Sequence, residues 1–333
     1  MTLSAEVLRK VAARVGQATR VACCLASRRA FAALQTPRLW QHVSVYELDD
    51  HALAFMQQMD TRDVYVEVPL VTDVGVLERF IAGLPPRTRQ LSLWVKDACV
   101  TKAHSIMSCI CDLNELEILV VQFSVLRQPM CLAFPSDADL PNLRTVHMTE
   151  HGQERHMEVY FDGVRLPALK DVILEVRTSD VMATLRRFPR LSSVCYFGTK
   201  ETYEDARLEG VRLDGLSLNV LNTTAMGFLQ SAVARADHVG AMTLLCFCDV
   251  CVEAYLPTRT LYIRAMPSVS QVEFMFHAVR GLEHLSVHPH TIGARTSWTA
   301  RFSRVGSWYN FLSWLKRARL HVGFEGTVVV DPL

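Results

Sequence analysis

The hexapeptide LEILVV at residues 116–121 sets the pattern that decides how this chain folds. Its first, fourth and sixth residues, Leu116, Leu119 and Val121, are apolar, and the same spacing returns along most of the sequence. Full copies are LRTVHM at 143–148, LKDVIL at 169–174, LSSVCY at 191–196, LDGLSL at 213–218, MTLLCF at 242–247 and LEHLSV at 282–287. A fixed-period apolar pattern predicts a stacked array of short units rather than one closed globule.

Shorter copies extend this array toward both ends of the chain. They are Trp40, Val43 and Val45; Val64 and Val66; Leu91 and Leu93; Leu261 and Ile263; and Leu320 and Val322. Most steps between successive copies fall within the roughly 20–29-residue period of leucine-rich repeats. Each apolar triad predicts a short strand with one buried face.

The intervals between the strands must return the chain to the start of the next strand. Residues 179–188, 222–235 and 268–279 have helical apolar spacing with a polar residue at the start. The predicted fold is therefore α/β: a leucine-rich-repeat solenoid over residues 46–333, with a curved parallel sheet and helices on its convex side.

Four intervals depart from the repeat. The return after strand 118–122 contains prolines and is expected to be a loop, and residues 156–161 are expected to form an extra strand. The step from 245 to 261 is too short for a helical return. A last helix over 308–320 and a terminal strand over 320–330 are expected to form an irregular C-terminal cap, because the last repeat would otherwise expose its apolar face.

Composition narrows the class of protein. The chain has 333 residues, of which 50% are hydrophobic, and a formal net charge of +1. A balanced charge gives no electrostatic reason to expect nucleic acid as a partner. No apolar run is long enough to span a membrane. The ten cysteines lie mostly among apolar residues, and with no clear secretory signal they indicate buried thiols in a reducing compartment, cytoplasmic or nuclear.

The first 45 residues do not follow the repeat and have the spacing of short helices instead. Leu3, Glu6, Val7, Leu8 and Val11 are followed by Val21, Ser27-Arg28-Arg29, Phe31, Leu34 and the run Thr36-Pro37-Arg38-Leu39-Trp40. This pattern resembles an F-box, which opens with Leu-Pro-x-Glu-aliphatic-Leu and closes with Asp-Pro-x-Leu-Trp. Ser4 stands where that family has proline.

The F-box resemblance implies a three-helix unit over residues 1–45 that binds a Skp-type adaptor and so joins a cullin ubiquitin ligase. Its apolar contact or core positions would be Leu3, Val7, Leu8, Val11, Leu25, Leu34, Leu39 and Trp40. The alternative is that residues 1–45 form a helical cap on the repeats, which need a cap on their own account.

The residues between the apolar positions are expected to point to the concave face, where a partner would bind. Trp94, Phe197, Tyr262 and Arg264 are residue types enriched at binding hot spots. The expected partner-binding residues are Trp94, His147, Glu175, Phe197, Asn219, Tyr262, Arg264, His284 and His288. Thr149 and Cys195 are expected on the same face.

No catalytic motif is present. There is no Gly-rich phosphate loop and no Gly-x-Ser-x-Gly turn. The cluster Cys246-x-Cys248-x-x-Cys251 lacks the second pair of a zinc site, so ordinary thiols explain it better than a metal does. Polar loops likewise explain the histidines at 147, 151 and 156 and at 284, 288 and 290. We therefore expect no enzyme, no cofactor and no metal.

The F-box resemblance, taken with the repeats, implies a substrate-recognition subunit of a Skp–cullin–F-box type ubiquitin ligase. Its partners would be the Skp-type adaptor, the cullin ligase and an unidentified target protein on the concave face. The first alternative is a leucine-rich-repeat scaffold without a ligase role. The second is a metal protein built on residues 246–251.

Overall fold

The computed structural model describes residues 16–26, 30, 33–68, 73–98, 104–151, 156–197, 206–220, 235–246, 258–265, 284–289, 296–302 and 326–332. They belong to two compact units. The first unit comprises Met1–Glu158 and Asp162–Pro167, and the second comprises Val159–Phe161 and Ala168–Leu333. The predicted boundary at residue 45 lies within the first unit.

Helices and strands alternate through most of the first unit. Its elements are α1 Gln17–Ala26, a 3₁₀ turn Pro37–Leu39, β1 His42–Val45, α2 Asp50–Met59, β2 Asp63–Val68, α3 Val74–Ala82, β3 Gln90–Ala98, α4 His104–Cys111, β4 Ile118–Leu126, β5 Met130–Ala133 and β6 Thr145–Glu150. Strand β7, Met157–Tyr160, starts in this unit and ends in the second. Strands β1, β2, β3, β4 and β6 are parallel neighbours in that order.

The second unit has a longer run of strands. Its elements are β8 Asp171–Glu175, β9 Thr178–Ser179, α5 Val181–Thr184, a 3₁₀ turn Leu185–Arg187, β10 Ser193–Phe197, β11 Arg212–Val220, β12 His238–Cys246, β13 Thr258–Ala265, β14 His284–Pro289, β15 Thr296–Phe302 and β16 Gly326–Pro332. Strands β8 and β10 to β14 pair in parallel, and β15 and β16 continue antiparallel.

The apolar triads line up across neighbouring strands, as the sequence pattern predicts. In the first unit, the second triad position forms one register line of Val43, Val64, Leu91, Leu119 and Val146. All five side chains are at most 6% exposed. In the second unit, the same line runs through Val172, Val194, Leu216, Met242, Leu261 and Leu285. The α/β class with a large parallel sheet is confirmed.

The register corrects one repeat. Met242, and not Leu245, pairs with Leu216 and Leu261, whereas Leu245 pairs with Asn219 and Arg264. The triad of β12 is therefore Val239, Met242 and Leu244. Consecutive leucines at 244 and 245 make either register apolar in the sequence, so the hydrogen bonds to the neighbouring strands decide between them.

Local sequence explains where the helices of the first unit begin and end. The Asp49 carboxylate accepts a hydrogen bond from the Ala52 N–H at 2.6 Å and caps the start of α2. The helix ends at Asp60, which adopts a left-handed φ of 50°. Met56 and Met59 of α2 are buried, as are Leu77, Phe80 and Ile81 of α3 and Ile106, Met107 and Ile110 of α4. The apolar side of each helix therefore contributes to the core of this unit.

The structure also reports on the irregular intervals. Strand β7 confirms the extra strand expected over 156–161, and the return after β4 is a loop with the short strand β5. The helix expected over 179–188 is shorter, with α5 followed by a 3₁₀ turn. Strand β16 covers part of the expected terminal strand. The helices expected before residue 16 and within 222–234, 268–279 and 308–320 lie outside the described residues.

A glutamine side chain covers the outer edge of β1, which among the described strands pairs with β2 alone. The Gln17 carboxamide donates to the Ser44 carbonyl at 2.7 Å and accepts from the Ser44 N–H at 2.6 Å. These two bonds copy the exchange that a neighbouring strand would make. An open strand edge is a template for unwanted pairing, so Gln17 both fastens α1 to the sheet and blocks the edge.

The Gln17→Ala variant tests this role. It leaves the N–H and C=O of Ser44 without their partner, and we expect the free energy of unfolding to fall by about 1–2 kcal/mol. The measurement is urea unfolding followed by circular dichroism. Gln58→Ala is the matched control, because Gln58 is an exposed glutamine of α2. Equal stability of the two variants would contradict the role of Gln17.

Candidate interaction surface

The parallel strands of the first unit carry a second row of side chains opposite the buried triads. In β2, the valines at 64, 66 and 68 are buried, while Tyr65 and Glu67 between them are half-buried. In β3, Ser92 and Trp94 take the same positions. The register pairs Tyr65 with Ser92 and Glu67 with Trp94. We call this side of β1 to β4 and β6 the strand face.

Four side chains of β2 and β3 are linked by contacts on the strand face. The Lys96 ammonium lies 2.6 Å from the Glu67 carboxylate and 5.6 Å from the centroid of the Trp94 ring. The Tyr65 hydroxyl forms a hydrogen bond with Glu67. The Trp94 indole N–H donates to the Ser124 hydroxyl on β4 at 3.0 Å. Tyr65, Glu67, Trp94 and Lys96 are hereafter the Trp94 cluster.

The electrostatics of the Trp94 cluster follow from these contacts. Partial burial, then the negative charge of Glu67, raises the pKa of Tyr65, so its hydroxyl stays protonated and donates to the carboxylate. The hydrogen bond to Glu67 raises the pKa of Lys96, which stays charged. At neutral pH the cluster thus consists of one carboxylate, one ammonium, one phenol and one indole. Such a set can bind charged and aromatic groups.

Of the residues predicted for partner binding, Trp94 and His147 are half-buried on the strand face of the first unit. They do not lie side by side, since Trp94 shares a register line with Gln122 and Thr149, and His147 shares one with Val120 and Ser92. The sequence analysis missed Tyr65, Glu67 and Lys96. The alternation of the sequence contained the signal for the first two. Val64 and Val66 fit the repeat, so the alternating residues Tyr65 and Glu67 must point to the opposite face.

Thr149 corrects the predicted face. It is 2% exposed and its hydroxyl has no hydrogen-bond partner among the described residues, so it is not available to a partner. The neighbouring Glu150 is 1% exposed, so the end of β6 is buried on both of its faces. Both the His156 and the Met157 N–H donate to the Glu150 carboxylate, which ties the start of β7 to the end of β6.

In the second unit, the predicted residue Glu175 is half-buried at the end of β8. Cys195 on the neighbouring strand β10 is also half-buried, and burial, then Glu175, raises the pKa of its thiol. Phe197 pairs with Asn219, and Arg264 pairs with His288, in the strand register. Tyr262 lies in β13 and His284 in β14. The side chains of these last six residues lie outside the described part of the structure.

The N-terminal residues implied by the F-box resemblance divide into two groups. Leu34, Leu39 and Trp40 are 2%, 8% and 3% exposed and are core residues, the second of the two roles that the resemblance implies. Direct contact of these three with an adaptor is therefore corrected to a supporting role. Leu25 lies in α1, but its side chain is outside the described part of the structure. The other four positions, Leu3, Val7, Leu8 and Val11, lie outside the described residues altogether.

An apolar groove of about 500 Å³ opens next to α1. Val21 of α1, Val45 of β1 and Phe55 of α2 line it, and Tyr46 stands at its rim. Val21 is 42% exposed and Tyr46 is 60% exposed, which is unusual for large apolar side chains in this unit. The exposed side of α1 thus offers apolar surface next to this groove.

The described thiols favour a structural role. Cys109, Cys111, Cys131 and Cys195 are free, and burial raises the pKa of each, to about 12 for Cys111. A thiol that stays protonated at neutral pH is a poor nucleophile and a poor metal ligand. Among the described residues, no group of three His, Cys, Asp or Glu side chains is placed to hold a metal ion. Cys248 and Cys251 lie outside those residues.

Two further findings complete the description of the surface. In the part of the chain that the structure describes, no helix is both long and apolar enough to cross a membrane. Comparison with known proteins found no matching family model, no matching curated protein and no matching solved structure.

Proposed function

We propose that this chain is a non-catalytic receptor of the F-box and leucine-rich-repeat type, which binds a target protein on its strand face. The observation that carries the proposal is the Trp94 cluster, where neighbouring parallel strands present aromatic and charged side chains opposite the core. Tryptophan and tyrosine are enriched at the centres of protein interfaces. The chemistry of the cluster supports binding rather than catalysis.

The adaptor side of the proposal is placed on α1. The F-box resemblance implies a Skp-type adaptor, and through it a cullin ubiquitin ligase that would modify the bound target. Leu34, Leu39 and Trp40 are buried. Arg20 of α1 contacts the Leu39 carbonyl and the Trp40 ring, so these core residues support α1 from within. Val21 is a large apolar residue of α1 that is exposed and so accessible to a partner.

A scaffold without a ligase role is the second candidate, and one observation favours it. The Gln17 side chain blocks the edge of β1, so α1 has a structural task that needs no adaptor. The two candidates share the strand face and differ in the use of α1. Separate variants on these two surfaces therefore distinguish them.

The test uses full-length protein with Val21→Glu on α1 and Trp94→Ala on the strand face. We expect Val21→Glu to reduce binding of a purified Skp-type adaptor at least about ten-fold, because it places a charge in an apolar contact. Trp94→Ala is expected to keep the adaptor and to lose the proteins that the parent chain retains from a cell extract. Val125→Glu is the matched control for adaptor binding, since Val125 is an exposed valine of β4.

The outcomes separate the candidates. If the parent chain does not bind the adaptor but Trp94→Ala loses the proteins that the parent captures, the scaffold function is correct and the ligase role is wrong. If Trp94→Ala retains every captured protein, the strand face is not the receptor surface and the proposal fails. Circular dichroism of each variant shows whether a loss of binding reflects a loss of folding.

A further inference from the structure

We infer that the Trp94 cluster is a receptor site for an arginine side chain of the target protein, and that Lys96 occupies this site as an internal substitute. The inference rests on the proposed role of the strand face and names the chemistry of its partner. It follows from three features of the cluster: a fixed anion, a fixed aromatic ring and a cation that is free to leave.

The anion is held by the protein. The Glu67 carboxylate is 22% exposed and accepts a hydrogen bond from Tyr65, its neighbour two residues back on the same face of β2. A half-buried carboxylate of this kind requires a cation, because burial of an unpaired charge is costly. The site is therefore built to hold positive charge.

The ring is also fixed. Its N–H is bound to Ser124 on the next strand, so the indole plane is set by two strands together. The Lys96 ammonium lies 5.6 Å from the ring centroid, within the distance of a cation–π contact. Tryptophan is the aromatic side chain that binds cations best. The Lys96 ammonium therefore lies against the Trp94 ring, and the position of that ring is held by Ser124 rather than by Lys96.

The resident cation is the least constrained member of the cluster. The Lys96 side chain is 50% exposed, more than twice the fraction for Glu67. An exposed ion pair of a long side chain contributes little to stability, so its loss is easily offset. A guanidinium group is planar, can bind both oxygens of a carboxylate and stacks on an aromatic ring. Arginine therefore matches the carboxylate and the indole better than the ammonium of Lys96 does.

The surroundings select for a basic partner. Tyr46, which is 60% exposed and near enough to Tyr65 to affect its pKa, adds a second aromatic surface beside the site. Displacement of Lys96 would leave Glu67 as the local charge of the cluster. An acidic partner would meet this carboxylate and be repelled, whereas an arginine would restore the balance of charge.

The experiment observes the indole N–H of Trp94 by NMR in full-length protein, with the resonance assigned by its loss in Trp94→Phe. The probe is the peptide acetyl-Gly-Arg-Gly-Arg-Gly-amide, and the same peptide with citrulline in place of arginine is the neutral control. We expect the arginine peptide to shift the resonance saturably and the citrulline peptide to leave it unchanged. The uncharged isostere keeps the shape and removes the charge.

Two variants test the role of Lys96. Lys96→Ala removes the internal competitor and is expected to tighten binding of the arginine peptide roughly two- to five-fold, the range that displacement of an exposed pair allows. Glu67→Gln is expected to weaken binding about ten-fold or more, because the charged partner is lost. Lys170→Ala, which removes an exposed lysine from the second unit, controls for net charge and should have no effect.

The inference is overturned if neither peptide shifts the Trp94 resonance, if citrulline binds as well as arginine, or if Lys96→Ala does not tighten binding. These outcomes are distinct from failure of the proposed function. If Trp94→Ala loses its target proteins but the parent chain does not respond to the arginine peptide, the receptor surface is supported and the arginine site is wrong. If the parent chain responds to the peptide but Trp94→Ala retains its target proteins, the arginine site is supported and the receptor surface is wrong.

Discussion

Replacement of Trp40 by alanine is expected to lower the free energy of unfolding of the first unit by about 3–5 kcal/mol. The indole is 3% exposed, and its ring lies edge-on to Phe55 with centroids 4.9 Å apart. Its N–H donates to the Leu34 carbonyl at 2.7 Å, and the Arg20 guanidinium lies 5.9 Å from the ring centroid. The substitution removes a large buried side chain and one of the two hydrogen bonds that the Leu34 carbonyl accepts, the other coming from the Thr36 N–H at 2.7 Å.

Trp40→Phe separates the two contributions. Phenylalanine keeps much of the buried area but cannot donate to Leu34. Because the Leu34 carbonyl still accepts from the Thr36 N–H, we expect a loss of about 0.5–1.5 kcal/mol, the net contribution of one hydrogen bond. Urea unfolding followed by far-UV circular dichroism measures both variants. A loss of less than about 1 kcal/mol for Trp40→Ala would be typical of an exposed site and would contradict the buried position.

This result bears on how the F-box resemblance is tested. The run Thr36–Trp40 is its most specific part, and the structure places Trp40 in the core. A Trp40 variant that loses an adaptor would therefore report unfolding rather than contact. Val21 is the better probe, because it lies exposed on α1. The measured stability of Trp40→Ala gives the fraction of unfolded protein, and hence the loss of adaptor binding that unfolding alone would produce.

The parallel strands were predictable because one rule governs them. A triad position must lie beside the same position in the next strand for the apolar side chains to form a common core. Val64, Leu91 and Leu119 obey this rule in the observed register. The rule fails at residues 242–247, where Leu244 and Leu245 satisfy it equally well. There the sequence alone does not fix which leucine belongs to the core.

The candidate site was predictable only in part. Its strand position placed Trp94 on the face opposite the triads, and there it is half-buried; its role in partner binding stays a prediction. Identification of the other members, Tyr65, Glu67 and Lys96, requires the order of the strands in the sheet and the direction of the Lys96 side chain. Thr149 and Glu150 are both buried at the end of β6, so the burial of Thr149 departs from the alternation of that strand and alternation could not reveal it. Contacts between distant segments are the part that periodicity does not encode.

Glu150 gives the second large effect that we expect. It is 1% exposed, and one carboxylate oxygen accepts the N–H of His156 at 2.7 Å and of Met157 at 2.8 Å. Its other oxygen has no hydrogen-bond partner among the described residues. Glu150→Ala leaves two N–H groups unpaired, one of them buried, which opposes the gain from removing a buried charge. Since each bond to a charged acceptor contributes about 1.5–3 kcal/mol, we expect a net loss of about 2–4 kcal/mol.

The matched variants show which force dominates. Glu150→Gln keeps an oxygen for both N–H groups and removes the charge, so its stability should lie between that of the parent and that of Glu150→Ala. Glu115→Ala removes a half-exposed glutamate whose partner Arg89 lies 3.8 Å away, and is expected to change stability by less than about 0.5 kcal/mol. Hydrogen exchange at the His156 and Met157 amides should accelerate in Glu150→Ala. If Glu150→Ala is instead as stable as the parent, desolvation of the carboxylate outweighs its two hydrogen bonds, and these bonds do not stabilise the attachment of β7 to β6.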